Sequence, residues 1–237
     1  VLRSGLKNVF WGMSTPPSTS ASPPKWLLLL AVLGAIVGAI GDILLLYVPE
    51  PAFMGDSLLY LTRVPSLFWG MVLGALFIPL EGFGLWWLYQ KMRHTQPRRA
   101  GWALALGMSF IAIGVSVHVV FGLVGMGYAS HTQPYEWTPE LLHFDIMTMM
   151  TLGVLGGTAF LLHIILNVLL FVATSSSNTP FPVWLRWVNP LLLYLVFVLL
   201  YYIVPPLGYI TAPAAFNLAY GLFFLTLYLL PSQSTSS

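Results

Sequence analysis

The chain has 237 residues, of which 58% are hydrophobic and only 7% are charged. Soluble domains carry about 25% charged residues, so this composition excludes a water-soluble fold and predicts that lipid surrounds most of the chain. The formal net charge of +2 is too small to indicate a nucleic-acid partner, and the lack of cysteine excludes disulfides, thiolate metal sites and cysteine nucleophiles.

The first 25 residues are predicted to lie outside the membrane. Residues 14–24 are rich in Pro, Ser and Thr, a composition typical of extended, disordered chain. The last seven residues are also polar. We therefore expect a disordered cytoplasmic tail over 1–25, a transmembrane domain over 26–230 and a second disordered cytoplasmic tail over 231–237.

Six apolar segments lie between the tails, each close to the 20 residues with which a helix crosses ~30 Å of hydrocarbon. Backbone groups in lipid need partners within the same segment, so these segments are predicted to be helices. The sequence therefore predicts an all-α fold, a polytopic transmembrane bundle of six spans. The predicted spans are Trp26–Tyr47, Ser66–Gln90, Gly101–Gly125, Asp145–Val172, Leu185–Val204 and Pro213–Leu230.

Two prolines predict local features of these helices. Pro79 removes a backbone hydrogen bond inside the second segment, and broken helices in membranes usually line a cavity. Thr138, Pro139 and Glu140 form a helix-start signal ahead of the fourth segment. The fourth helix is therefore predicted to begin before the membrane and to be longer than a simple span.

The basic residues predict the orientation of the bundle. Eight of the nine fall at one end of the six-helix arrangement, whereas Arg63 falls at the other end with four acidic residues. Cytoplasmic loops are enriched in Lys and Arg, so both termini are predicted to be cytoplasmic (N-in, C-in). The cytoplasmic residues are Arg3, Lys7, Lys25, Lys91, Arg93, Arg98, Arg99 and Arg186, and the acidic residues opposite are Glu50, Asp56, Glu136 and Glu140.

Four ionisable side chains lie within the predicted spans: Asp42, Glu81, His118 and His163. A charge at such a depth costs several kcal/mol unless it is paired, protonated or facing a cavity. Each lies on the glycine-rich face of its segment, where small residues let helices approach closely. All four are therefore predicted to point into the bundle. The faces comprise Gly34 and Gly38; Gly70 and Gly74; Gly107, Gly114, Gly122 and Gly125; and Gly153, Gly156 and Asn167.

The depths of these side chains predict two layers. At 1.5 Å per residue, Asp42 and His118 lie roughly 8 Å to the outer side of their midpoints, and Glu81 and His163 roughly 6 Å to the cytoplasmic side. A carboxyl and an imidazole together can transfer protons, bind a metal such as zinc, or form a structural pair. We take all four as candidate catalytic residues, Asp42 and His118 as the metal ligands if a metal binds, and Asn167 as lining a polar cavity.

Other polar residues receive structural interpretations. Asn167, Asn189 and Asn217 are predicted to form hydrogen bonds between helices, and Asn189 to cap a turn before Pro190. A second cluster is predicted to be a solvated outer loop. It comprises His131, Glu136, Glu140, His143 and Asp145.

Two short runs carry a resemblance to a known family. Residues 41–47 read GDILLLY and residues 76–82 read LFIPLEG. With these runs the chain resembles an uncharacterised family of multi-pass bacterial membrane proteins that includes cyanobacterial members. The resemblance implies a multi-pass fold over most of 26–230, a location in the bacterial cytoplasmic membrane, and no known activity.

Three functions remain open on this evidence. The leading hypothesis is a membrane-embedded enzyme that acts on an apolar or lipid-like substrate through its carboxyl and histidine pairs. The second is a proton-coupled transporter that passes a proton between the two layers. The third is a non-catalytic accessory subunit that packs against a larger membrane complex.

Overall fold

In a computed structural model of the protein, the backbone is described for residues 22–47, 64–129 and 139–231, and the side chains for the same residues except 128–129 and 139–145. Within these ranges the chain forms helices and no strand, which confirms the all-α prediction. Short 3-10 turns at Ile78–Leu80 and Val183–Val188 precede the third and sixth helices. The helices are α1 Trp26–Leu46, α2 Val64–Phe77, α3 Glu81–Met92, α4 Pro97–Ala129, α5 Pro139–Ser175, α6 Pro190–Ile203, α7 Pro205–Thr211 and α8 Ala215–Leu229.

The first four predicted spans correspond to helices long and apolar enough to cross a membrane. These helices are Trp26–Leu46, Val64–Met92, Pro97–Gly127 and Ile146–Ser175. The second consists of α2 and α3, joined by the 3-10 turn at Pro79 where the sequence predicts a lost hydrogen bond. The fourth lies within α5, which begins at Pro139 as its helix-start signal predicts.

The last two predicted spans differ from the observed helices because prolines limit helix length. The fifth was predicted to begin at Leu185, but α6 begins at Pro190, where the Asn189 side chain accepts a 2.9 Å hydrogen bond from the Leu191 amide. The helix ends before Pro205, so α6 has 14 residues and is about 21 Å long. This length is short of the ~30 Å of hydrocarbon.

The sixth predicted span is a bent pair of helices. The axes of α7 and α8 differ by 80°, with Pro213 in the turn between them. Counting this pair as one span, the described residues contain up to five candidate spans, and four without it. Six spans and their orientation therefore stay predictions.

Both ends of the described chain lie at the same end of the bundle. The Lys25 ammonium group, just before α1, donates to the carbonyl oxygens of Tyr228 (2.9 Å) and Leu230 (2.5 Å) at the end of α8. The Gln96 amide, just before α4, donates to the Ala173 carbonyl near the end of α5 at 3.0 Å. We call this the basic end. It is defined by Lys25, Lys91, Arg93, Arg98, Arg99 and Arg186.

Helix α1 contacts the backbone of α2 through glycine. A Cβ atom on Gly34 would lie 2.6 Å from the Phe77 carbonyl oxygen and 2.8 Å from Leu80 Cβ. A Cβ atom on Gly41 would lie 3.0 Å from the Gly70 carbonyl oxygen. These distances confirm that the small-residue face of the first segment points into the bundle.

The glycine face predicted for the fourth segment is only partly packed. Asn167 and His163 are buried, but Gly153 is exposed, and no described residue lies within 4 Å of a Cβ atom placed on Gly153 or Gly156. The inward position predicted for His163 is confirmed by its burial, but no described helix packs against these two glycines. Glycine is common in membrane helices even where no helix packs against it, so its periodicity alone did not identify a contact.

Several sequence predictions lie outside the described residues. They concern most of the two tails, the loop that holds Arg63, and the predicted outer loop. The residues concerned are Arg3, Lys7, Glu50, Asp56, Arg63, His131 and Glu136, together with the side chains of Glu140, His143 and Asp145.

We predict that Gly34→Ala destabilises the protein by about 1–3 kcal/mol, because the added methyl group overlaps backbone that cannot move alone. Gly156→Ala is the matched control, since its methyl group meets no described atom within 4 Å. The measurement is the free energy of unfolding in mixed detergent micelles. Equal stability of the two variants would contradict the close approach of α1 and α2.

Candidate functional site

Asp42, His118 and Asn217 meet in the interior of the bundle. His118 Nε2 on α4 donates to Asp42 Oδ1 on α1 at 2.8 Å. Asn217 Nδ2 on α8 donates to Asp42 Oδ2 at 2.6 Å. All three residues are buried, with 6–8% of their surface exposed. Each carboxylate oxygen therefore has one donor, as a buried carboxylate requires, and the structure brings together the two residues that depth places in the outer layer.

Glycines make room for these polar groups. The imidazole of His118 packs directly on Gly74, where any Cβ atom would collide with the ring. A Cβ atom on Gly38 would lie 3.1 Å from the Asn217 side chain. Glycines on the faces beside the ionisable residues thus keep the polar groups in contact, since a larger residue would push His118 or Asn217 away from Asp42.

A second polar cluster joins α5, α6 and α8. Asn167 Nδ2 lies 3.1 Å from His163 Nδ1 and 3.1 Å from the Tyr220 hydroxyl oxygen, which in turn lies 3.4 Å from His163 Nδ1. Asn189, which caps α6, donates to the Asn167 carbonyl oxygen at 2.9 Å. The predicted hydrogen bonds between helices are therefore confirmed for Asn167, Asn189 and Asn217.

Aromatic rings enclose His163, whose surface is 0% exposed. They come from α4, α6 and α8, and their centroids lie 4.9–5.7 Å from the imidazole centroid. This shell gives the imidazole apolar surroundings and lowers the local dielectric, which strengthens electrostatic interactions within it. The shell consists of Phe110, Tyr194, Phe216 and Tyr220.

Glu81 is the third buried ionisable site of the bundle interior. Its surface is only 2% exposed, and its Oε1 atom has no hydrogen-bond partner among the described residues. Within the described residues no hydrogen bond or ion pair joins Glu81 to His163, so the predicted pairing of these two is wrong. Depth along the membrane normal does not give the angular position of a helix, and Asn167 and Tyr220 occupy the position beside His163.

Four buried polar atoms in this region have no hydrogen-bond partner among the described residues. Each such atom costs about 1–3 kcal/mol, and native proteins tolerate few of them outside functional sites. Their concentration here identifies the region as a candidate functional site. The atoms are His118 Nδ1, Glu81 Oε1, His163 Nε2 and Asn167 Oδ1.

Each imidazole uses one ring nitrogen for hydrogen bonding. His118 Nε2 bonds to Asp42 Oδ1. His163 Nδ1 lies within hydrogen-bond distance of Asn167 Nδ2 and of the Tyr220 hydroxyl oxygen. Each ring therefore has one nitrogen engaged in its cluster and one free of described partners.

The donor set for a metal is incomplete. Within the described residues no group of three or more His, Asp or Glu side chains is placed to hold a metal ion. Asp42 and His118 supply two ligands, whereas catalytic zinc takes three from the protein. Zinc at this pair therefore stays a hypothesis.

Tyr220 is the functional candidate that sequence reasoning missed. It follows Asn217 by three residues, so both lie on the face of α8 that meets α1 and α5. This spacing was the available signal. It carried little weight because aromatic residues are frequent in membrane helices.

Comparison with known proteins identifies one family. A family of unknown function, DUF6796, matches residues 23–234, which is almost the whole chain. No curated protein and no solved structure matches the chain. The match agrees with the resemblance to an uncharacterised family and assigns no activity.

We predict a coupling free energy of about 1–3 kcal/mol between Asp42 and His118, because truncating either leaves the other buried without its partner. The measurement is a double-mutant cycle with Asp42→Ala and His118→Ala, read as the free energy of unfolding. The cycle of Glu81→Ala and His163→Ala is the comparison, with expected coupling below about 0.5 kcal/mol. Equal coupling in the two cycles would contradict the geometry.

Proposed function

We propose that this chain, which belongs to the DUF6796 family of unknown function, is a multi-pass membrane protein that passes protons through the interior of its helix bundle, as in a proton-coupled transporter. The observation that carries the proposal is a line of titratable groups in the bundle interior. It comprises the Asp42–His118 pair, Glu81 and the Tyr220–His163 pair, all of them buried.

Each member of this line can take up or release a proton or relay a hydrogen bond. The imidazole of His118 shares a hydrogen bond with Asp42, and the Glu81 carboxyl is buried in the same bundle interior with one oxygen free of described partners. The Tyr220 hydroxyl then reaches His163. Ionisable residues buried in membrane helices typically mark ion pathways or proton relays, which supports this function over a purely structural pair.

Each histidine keeps one ring nitrogen outside the hydrogen bonds of its cluster. His118 Nδ1 and His163 Nε2 are buried nitrogens with no described partner, one in each cluster. A ring that binds a proton at one nitrogen and releases it at the other moves charge without moving the backbone. The two histidines therefore suit the terminal positions of a relay.

The enzyme hypothesis is the second candidate. Three cavities of about 280, 370 and 540 Å³ lie on the described surface, and none of these three is lined by Asp42, Glu81, His118 or His163. The largest is an apolar groove beside the break between α2 and α3, and Pro79, Gly82 and Phe83 contribute to it. This groove favours a lipid-like substrate next to Glu81 in the chain, but an enzyme requires the reacting groups in its pocket wall.

We also propose that the bundle crosses a bacterial cytoplasmic membrane six times, with the basic end in the cytoplasm. Helix α6 leaves the basic end and α8 returns to it, which supports a fifth and a sixth crossing. With 14 and 15 residues, these two helices require a thinner hydrocarbon region than the other four.

Cysteine labelling tests this topology, because the chain contains no native cysteine. In right-side-out vesicles we expect a membrane-impermeant maleimide to label Leu207→Cys on α7 without permeabilisation. Asn178→Cys, at the basic end, should react only after permeabilisation. If both positions require permeabilisation, α6 to α8 form a re-entrant hairpin and six crossings are wrong.

Proton flux tests the function. In proteoliposomes that contain a pH-sensitive dye and carry a potassium diffusion potential, we expect wild-type protein to acidify the lumen. Asp42→Asn should reduce the rate at least about tenfold, because the amide cannot exchange a proton at this position. Tyr220→Phe should also reduce the rate, because it removes the hydroxyl group that reaches His163.

Ser116→Ala is the matched control for flux. Ser116 lies on α4 two residues from His118, but its hydroxyl is exposed and bonds only to the Ala112 carbonyl oxygen at 2.9 Å. Its rate should equal that of wild type. Wild-type flux no greater than that of protein-free liposomes would reject the proton pathway and leave the enzyme hypothesis.

A further inference from the structure

A cavity of about 280 Å³ opens at the basic end, remote from the proton line. The segment before α1, the end of α3, the loop after α5 and the end of α8 form its walls. Its volume is close to the lower limit for small-ligand sites. The residues that define its chemistry are Ser22, Lys25, Trp87, Lys91, Phe181 and Leu230.

Two lysines face this cavity, and both are held in place. Lys25 Nζ donates to the Tyr228 and Leu230 carbonyl oxygens and lies 5.7 Å from the centroid of the Tyr228 ring. Lys91 Nζ donates to Ser22 Oγ at 3.0 Å and lies 5.6 Å from the centroid of the Trp87 ring. The ammonium groups therefore occupy defined positions in place of the many that a free lysine side chain samples.

These contacts leave donors unused. An ammonium group has three N–H donors, so Lys25 retains one and Lys91 retains two after the hydrogen bonds described above. The other walls present few groups that would bind the unused ammonium donors. The Trp87 indole donates to the Pro23 carbonyl oxygen, and the Phe181 ring, buried beside it, is apolar.

The positive charge of the two lysines is uncompensated. Both line the same cavity. Within the described residues neither forms an ion pair with a carboxylate. The sequence has no Asp or Glu in residues 1–41, 82–135 or 146–237. Two fixed like charges without a counter-charge are costly, and an anion between them would remove that cost.

We propose that this cavity binds a phosphate group, presented either by the headgroup of an anionic lipid or by a free phosphate compound. Phosphate oxygens accept the unused ammonium donors and neutralise both lysines. Basic pockets at the ends of membrane helices recognise anionic headgroups in this way. The site is independent of the proton pathway, because none of its lining residues belongs to that line.

Binding of lipid and of inorganic phosphate distinguishes the two sources. Native mass spectrometry of the detergent-purified full chain would count bound phosphatidylglycerol against phosphatidylcholine, and calorimetry would measure inorganic phosphate. We expect phosphatidylglycerol to bind more tightly than phosphatidylcholine. At about fivefold per lysine, Lys91→Gln should weaken binding about fivefold, and Lys25→Gln with Lys91→Gln about 25-fold.

The matched control removes two charges elsewhere at the same end. Arg98→Gln with Arg99→Gln changes the net charge equally, but these arginines line a different, 370 Å³ cavity. Lys91→Gln alone tests the site in a chain that keeps the contacts of Lys25 with α8, so weaker binding by this variant does not result from the loss of those contacts.

The outcomes separate as follows. Lysine-dependent binding of phosphatidylglycerol alone supports a headgroup site, and lysine-dependent binding of inorganic phosphate supports a site for soluble phosphate compounds. Equal weakening of binding by the lysine and arginine double variants would overturn the proposal. The effect would then come from the net positive charge of the basic end and not from this cavity. The proposal would also be overturned if neither phosphatidylglycerol nor inorganic phosphate bound the protein more tightly than phosphatidylcholine does.

Discussion

The hydrogen bond between Asp42 and His118 depends on the close backbone approach of α1 and α2, since the His118 ring of α4 packs on Gly74 of α2. A buried carboxyl group is shielded from water, so its hydrogen-bond donors must come from neighbouring helices. Gly41 and Gly74 allow α1, α2 and the His118 ring to approach closely enough, and Gly38 does the same for Asn217. The polar centre and the tight glycine packing are thus one constraint, because the first exists only with the second.

The second cluster depends on the ends of helices. Asn189 caps α6 and simultaneously donates to the carbonyl oxygen of Asn167, so the start of one helix fixes the position of another. Pro190 and Pro205 limit α6 to 14 residues, which allows α7 to turn back and α8 to present Tyr220 to His163. A longer, uninterrupted α6 would extend past the point at which the chain turns into α7.

Sequence alone predicted the features that depend on composition and length. Four long apolar helices and the inward position of Asp42, Glu81, His118 and His163 follow from the cost of polar groups in lipid. The sequence did not predict the contacts that depend on how each helix is rotated within the bundle. Depth placed His163 with Glu81, whereas the rotation of α8 places Tyr220 there. The sequence also indicated only that Lys25 and Lys91 mark the orientation of the bundle, because nothing in their spacing shows that they share one cavity.

The contacts of Asp42 have a consequence for biosynthesis. Its donors lie on α4 and α8, and Asn217 follows it by 175 residues. During synthesis α1 is therefore complete long before the residues that donate to its carboxyl group. The final packing of α1 is thus coupled to completion of α8, because only then is Asn217 available to Asp42.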